Sequence, residues 1–358
     1  MTAQPLRLVL LGDGDSPHLL KWARALAPVA GLELWALSSR GFMPGFDACV
    51  PPARRLALGT APDHAGGNVS LLKQLPRVAR WLKRVDAQWL HAHYLTSHGT
   101  LAWLAQRLFG VRGRLVSSAW GSDILVTPQQ SELLRWVTGR VLRASVLATS
   151  DSQVMATRMR EMGAGEVMVF PFGLEAMPSA PTAKDDALFF ANRGLEPLYR
   201  PERVLKQFAA LAGGTGRLVV ANDGSLRAAL EQQAADLGLG QRVQFVGRLS
   251  ADSQSEWYSR ARWYISLPQS DSVAVSVLEA MAHGCVPVLS DLPANRELVR
   301  DGDNGLIVPE QGLLDREALT RVAPRADAVA AANRAWVQQH ALFAPCVAAF
   351  VTRLRELT

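Results

Sequence analysis

The chain has 358 residues, 49% hydrophobic and 20% charged, a balance that supports large buried cores in two or three domains and excludes a disordered chain. Its apolar runs fall short of the roughly 18–20 residues of a membrane span. Three widely spaced cysteines, Cys49, Cys285 and Cys346, suggest neither a disulfide framework nor a zinc site and fit a reducing cytoplasm. The net charge of +6 is uneven: residues 1–175 carry 19 Lys and Arg against 12 Asp and Glu, and the remainder 19 against 20. A basic half beside a neutral half points to two domains with different partners, with nucleic acid or an anionic membrane surface as candidates for the basic one.

The opening MTAQPLRLVLLG reads as a buried first strand (7–12), not a signal peptide. GDGDSPH follows it and opens a helix over 16–31. Gly12 and Gly14 would let the backbone approach a diphosphate or an acceptor. The run is not a dinucleotide fingerprint, and His18 is either an acceptor contact or a polar helix-start residue. A strand follows at 32–39. LLKQLPRVARWLKRV (71–85) sets Leu71, Leu75, Val78, Leu82 and Val85 apart from Lys73, Arg77, Arg80, Lys83 and Arg84. It reads either as a helix lying on an anionic membrane or as a packed helix with a solvated basic face. Pro76 interrupts the continuous-helix pattern.

QWLHAHY (88–94) is a strand ending in two histidines. Their spacing of two puts His91 and His93 on one face, but no third ligand of suitable spacing makes a metal site. A helix over 97–110 leads to a strand at 113–120, then GSD, where Asp123 either orients a hydroxyl or caps the next turn. A strand at 145–150, a helix at 151–163 and a strand at 166–173 close the half. Residues 176–188, rich in Pro, Ala and Ser, read as the linker. The alternation then restarts, with strands at 186–193, 216–223, 243–247, 263–268 and 286–291, helices at 201–214 and 224–238, and a helical end over 325–358. Strands separated by helices argue parallel sheets covered on both faces, with ligands held by loops at strand C-termini. No nucleic-acid-binding module or aromatic stacking run is present.

SDSVAVSVLEAMAHGCVP (270–287) places Asp271 before a helix starting near Val273 or Ala274 and Glu279 about two turns inside it. Free amides at such a start form an anion site, and Gly284 and Pro287 end the helix. Cys285 reads as a buried residue rather than a nucleophile.

From about residue 186 to 308 the sequence resembles the second domain of the retaining, nucleotide-sugar-dependent glycosyltransferases of family 4, which have the GT-B fold. The resemblance rests on DSVAVSVLE running into AMAHGCVPVLSD and NRELVRDGDNGLIVP, and on NRGL, VVANDGSLRAALE and VQFVGRLS upstream. HAHY, AWGSD and VMVFPFGLE agree more loosely in the first half. The resemblance implies that Glu279 holds the ribose hydroxyls and that Asp271, where the family usually has Glu, contacts the donor sugar. It implies that the amides of Val273, Ala274 and Val275 cradle the pyrophosphate and that Arg193 meets the diphosphate. Arg200 stands as substitute for a family Lys, Asp223 and Gly224 lie in a turn near the nucleotide, and Val246 lies near the base edge. His93 falls near the transferred sugar or acceptor.

The expected architecture is α/β, two doubly wound Rossmann-like domains facing a cleft: an acceptor-binding domain over 1–175, a donor-binding domain over 189–340, and a terminal helix over 341–358 packing back on the first. The resemblance implies a retaining transfer from a nucleoside diphosphate sugar, with no obligatory metal or other cofactor. A lipid-linked or lipopolysaccharide-type acceptor at a cytoplasmic membrane face fits the basic first half. A non-catalytic nucleotide-sugar-binding partner and a nucleotide-sugar epimerase are the other readings.

Overall fold

The computed structural model describes residues 5–60, 69–180 and 183–358. The chain divides into two compact units, Met1–Phe170 with Phe343–Thr358, and Pro171–Leu342. The expected linker at 176–188 is therefore not the boundary. The division falls earlier, at Phe170–Pro171, and residues 171–180 belong to the second unit, where the Leu174 amide donates to Ala341 O at 2.7 Å.

The first unit holds seven parallel strands: β1 (Leu6–Gly12), β2 (Leu32–Ser38), β3 (Arg55–Ala57), β4 (Trp89–His93), β5 (Arg114–Ser118), β6 (Ser145–Ser150) and β7 (Glu166–Val169). Their order is β3-β2-β1-β4-β5-β6-β7. The second unit holds β8 (Asp185–Ala191), β9 (Arg217–Ala221), β10 (Val243–Gly247), β11 (Ala261–Ser266), β12 (Val286–Ser290) and β13 (Leu306–Val308), ordered β10-β9-β8-β11-β12-β13. Each sheet reverses its strand order once, between β1 and β4 and between β8 and β11, the arrangement of a Rossmann-like domain. At these points two neighbouring loops diverge and leave a crevice at the strand C-termini.

Two short strands, β3 and β13, and the helix Glu132–Ala144 add to the elements legible in the sequence. Three residues are too few to show a period of two. β4 is buried along its whole length, because helices cover both faces of a parallel sheet. The C-terminal helix Phe343–Leu357 packs in the first unit: Phe343 and Phe350 meet the edge of Trp22 at 5.0 and 5.3 Å. Arg353 clamps Glu166 through Nε and Nη2 at 2.7 and 2.8 Å.

The basic stretch 71–85 is two helices, Val69–Leu72 and Leu75–Val85, with Pro76 in the first turn of the second. Leu75, Val78, Ala79, Trp81, Leu82 and Val85 are buried in the sheet-facing core, and Arg77, Arg80, Lys83 and Arg84 are exposed. This corrects the membrane-lying reading of that helix, since its apolar side is consumed inside the protein and only charge faces outward. Among the described residues no helix is long and apolar enough to cross a membrane.

Candidate active site

In the second unit, the loops after β8 and β11 meet at the strand-order reversal. The first supplies Arg193 and the second Asp271, which form an ion pair at 2.7 Å (Nη2 to Oδ2). Arg193 Nη1 donates to Ser276 Oγ at 3.2 Å, and its guanidinium lies 4.5 Å from the centre of the Tyr199 ring. The two side chains are 19% and 23% exposed, so the pair is only partly screened by water. Burial opposes the charge on Arg193, but Asp271 and the nearby Tyr264 and Tyr199 more than offset it and raise its pKa. Burial pushes Asp271 above the usual carboxylate range, against the pull of Arg193 and the Ser272 amide.

The helix behind this pair runs from Val275 to Ala282. It starts later than its sequence suggests, because Ala274 remains extended (φ −71°, ψ 129°) and Asp271 Oδ1 accepts the Ser272 amide at 3.0 Å. Glu279 is therefore one turn inside the helix, not two, and nearer the positive end of its dipole. Five other helices have a Ser or Asp side chain on their first amides, at Ser16, Ser131, Ser152, Ser250 and Asp315. Ala274 has no such group to offer, so no cap side chain competes for the amides beside Val273, Ala274 and Val275. Gly284, at φ +80°, then turns the chain into β12.

Glu279 is half-buried and takes a hydrogen bond from the Tyr258 hydroxyl at 3.2 Å. No role is assigned from the sequence to Tyr258, Tyr264 or Asn192, although Asn192 opens NRGL. Asn192 Nδ2 donates to Gln254 Oε1 and to Tyr258 Oη, both at 2.7 Å, and Tyr264 Oη donates to Asn192 Oδ1 at 2.8 Å. Burial raises both phenols, Tyr264 to about 12 and Tyr258 well above its ordinary value. The only signal in the sequence is that a buried tyrosine needs a partner for its hydroxyl.

Arg200, expected near the diphosphate, is engaged within the protein. It pairs with Glu310 at 2.8 Å and donates to the carbonyls of Leu267 at 3.3 Å and Pro268 at 2.9 Å. It thus ties down the loop that carries Asp271. Asp223 accepts the Gly224 amide at 2.9 Å in a turn led by Asn222 at φ +80°. A Cβ on Gly224 would overlap the Leu195 carbonyl, so that glycine is required where two loops touch. Val246 sits in a bulge of β10 opposite β9.

In the first unit, β4 ends at His93, which is 1% exposed. Neither ring nitrogen has a hydrogen-bond partner among the described residues. Its ring rests against His91 at 4.4 Å, Trp22 at 5.5 Å and Trp120 at 5.7 Å. His91 bonds Ser118 Oγ at 2.6 Å, which continues to Thr149 Oγ1 at 2.6 Å. Burial lowers His91 to about 3, and burial with the neighbouring histidines holds His93 well below its ordinary value, so both are neutral near pH 7. The next residue, Tyr94, has φ +62° and opens a π-helical turn to Gly99. A non-glycine residue in that region costs about 1–3 kcal/mol, and such strain clusters at functional sites. Among the described residues no three His, Cys, Asp or Glu are grouped to hold a metal ion.

Asp123 is fully buried and accepts the amides of Leu95 at 3.1 Å and Trp120 at 2.8 Å. This corrects the capping reading, since Gly121 holds the N-cap and Asp123 instead joins the loops after β4 and β5. A Cβ on Gly12 would come within 2.7 Å of Leu19, and one on Gly14 would strike Gly41 and Phe42. Their lack of a side chain is used by the protein itself. His18 is exposed in the first turn of its helix, 4.9 Å from the Trp120 ring. Cys285 is buried against the carbonyls of Tyr258 and Ala261, and burial pushes its thiol up to about 11.

Residues 175–321 match the family model for glycosyl transferases group 1, and residues 7–152 match that for glycosyl transferase 4-like proteins. Each half of the chain thus matches a different glycosyltransferase family model. It is similar to N-acetyl-alpha-D-glucosaminyl L-malate synthase of Bacillus anthracis, 22% identical over 64% of this chain and 64% of that one. It is also similar to the GDP-mannose:cellobiosyl-diphosphopolyprenol alpha-mannosyltransferase of Xanthomonas campestris, 26% identical over 48% of this chain and 46% of that one. These matches span less than two thirds of the relatives' lengths. Among solved structures, Anabaena HepE in complex with UDP shares 14% identity with this chain at a TM-score of 0.77, covering 99% of this chain and all of that one. Sucrose-phosphate synthase of Thermosynechococcus elongatus shares 16% identity at 0.77 over the same extents. At such identities the likeness establishes the fold, two Rossmann-like domains.

Proposed function

We propose that this protein is a GT-B glycosyltransferase that moves a hexosyl group from a nucleoside diphosphate sugar to a lipid-linked or lipopolysaccharide-type glycan, with retention of anomeric configuration. The observation that carries the reading is the Arg193–Asp271 pair at 2.7 Å beside a helix start whose amides have no side-chain cap, with Glu279 one turn further in. A cation and aimed amides stabilise the charge that grows on a departing diphosphate. Glu279, steadied by Tyr258, takes the ribose hydroxyls, and the Asp223–Gly224 turn and Val246 flank the nucleotide. Asp271 reaches a donor-sugar hydroxyl once Arg193 turns to the phosphate. His93, neutral and with open ring nitrogens, takes a hydroxyl of the transferred sugar or acceptor.

The glycosidic bond to the diphosphate breaks as the acceptor oxygen bonds to the same face of the anomeric carbon. The acceptor proton passes to the departing phosphate oxygen, so no side chain has to act as general base and no metal enters the step. Two similarities support the donor and acceptor classes. A structural neighbour holds UDP, and a relative's name specifies GDP-mannose and a polyprenol-linked glycan. The net charge of +7 over residues 1–175 suits an acceptor on a cytoplasmic membrane face.

The test is a thermal-shift panel of UDP, GDP, ADP and their sugars, followed by a donor-hydrolysis assay. Ligand bound to the folded state raises the Tm with affinity and concentration. A shift by one nucleotide, lost in Glu279→Ala, is the expected result. An unchanged affinity in Glu279→Ala removes the ribose assignment, and a shift without hydrolysis or transfer identifies a binding partner that does not turn over.

A further inference from the structure

We infer that the face built by the helices Thr100–Phe109 and Glu132–Ala144 docks on an anionic lipid surface. This goes beyond the transfer reaction and does not depend on the donor assignment. The three most exposed large apolar side chains among the described residues lie on these two helices: Leu108 at 67%, Leu133 at 66% and Trp136 at 55%. Leu133, Trp136, Arg140 and Arg143 follow one another at helical spacings of three, four and three, so they form one stripe. Trp103 from the neighbouring helix meets Trp136 edge-on at 6.2 Å, and the Arg140 guanidinium lies 5.9 and 5.8 Å from the two rings.

The charge beside the stripe identifies the occupant. A surface groove next to Trp136 is lined by Arg135, Arg143 and Arg158 with Glu132 and Glu161. Glu161 is bound to Arg158 at 2.7 Å, and Glu132 stands 3.8 Å from Arg135. Arg140 and Arg143 have no ion-pair partner among the described residues, so positive charge is left over where the apolar side chains emerge. Tryptophan and leucine that enter the headgroup boundary, with arginines that meet its phosphates, are the pattern of an interfacial face. A second copy of this chain would bring the same arginines against each other. The basic helix Leu75–Val85 lacks the apolar half of this pattern, since its own is buried.

The test is sedimentation of the full chain with vesicles of phosphatidylcholine alone or with about one-third phosphatidylglycerol, at low and high salt. Binding is expected to the anionic vesicles only and to fade with salt. Leu133→Ser with Trp136→Ser should lower the bound fraction about tenfold or more, with Tm unchanged. Should that pair fold poorly, Leu133→Ser alone, at a side chain two-thirds exposed, should still lower it severalfold. Lys83→Gln with Arg84→Gln should lower it less. No binding to anionic vesicles, full binding by the serine variants, or a dimer in light scattering that these variants dissociate would each overturn the inference.

Discussion

His91 gives the sharpest quantitative expectation. It is fully buried, and burial lowers its pKa from 6.5 to about 3. Between those values the unfolded chain binds a proton that the folded chain refuses, so stability is complete above pH 6.5 and falls as pH drops. At pH 5 the unfolded imidazole is protonated at a linked cost of about 2 kcal/mol. His93, shifted the same way, adds to this. For a unit of this size the cost corresponds to a Tm lower by roughly 4–8 °C for its transition. The assay is denaturant unfolding at pH 7.5 and pH 5.0 of the wild type and of His91→Gln. Glutamine fills most of the imidazole's space and can still meet Ser118, but does not titrate. The variant should lose about 2 kcal/mol of the pH dependence. An unchanged slope would refute a buried neutral His91. The same chemistry bears on activity, because a protonated His93 could no longer accept a hydrogen bond from a sugar hydroxyl.

Three further outcomes are expected. Arg193→Ala should lower turnover by about a hundredfold or more while changing nucleotide affinity far less, and a loss under about twofold in steady-state kinetics would exclude a leaving-group role. Tyr258→Phe keeps the ring against Phe190 and His283 but removes the hydroxyl from Glu279. It should weaken ribonucleotide binding about five- to tenfold in calorimetry and narrow the preference over the 2′-deoxy form. Gly173→Ala places a Cβ onto the Ala341 carbonyl, a backbone atom that cannot swing away. The expected loss is about 3 kcal/mol or more, read as a large fall in Tm, whereas a neutral effect would show that the junction can open.

Local pattern carried much of this protein. Alternating apolar and amphipathic segments are enough to argue parallel sheets, because buried strands and half-buried helices have different periods. The acid–helix–acid segment and the order of its neighbours pointed to Arg193, Asp271 and Glu279, and the structure brings the first two into contact. Other assignments depended on contacts between distant residues. Arg200 looks free in the sequence and is tied to Glu310. Asp123 looks like the cap of the next turn and is buried on two loop amides. Gly12, Gly14 and Gly224 look like ligand-side glycines, and each also sits where a Cβ would meet the protein itself, Gly12 against the helix residue Leu19 and Gly14 and Gly224 against neighbouring loops. Tyr258 and Asn192 carry no local signal of their role and form the hydrogen-bonded support of Glu279.

The sequence by itself determined most of the segments that become strands and helices and which residues carry charge, since both follow largely from neighbours in the chain. Only the tertiary structure decided where each sheet reverses its strand order, where Phe170 ends one unit, and which half of each polar pair is spent on the protein. Those outcomes depend on side chains more than a hundred residues apart, as Arg200 and Glu310 are and as Arg353 and Glu166 are. A partner at that separation leaves no local pattern, and its hydrogen bond exists only after the backbone has closed the distance.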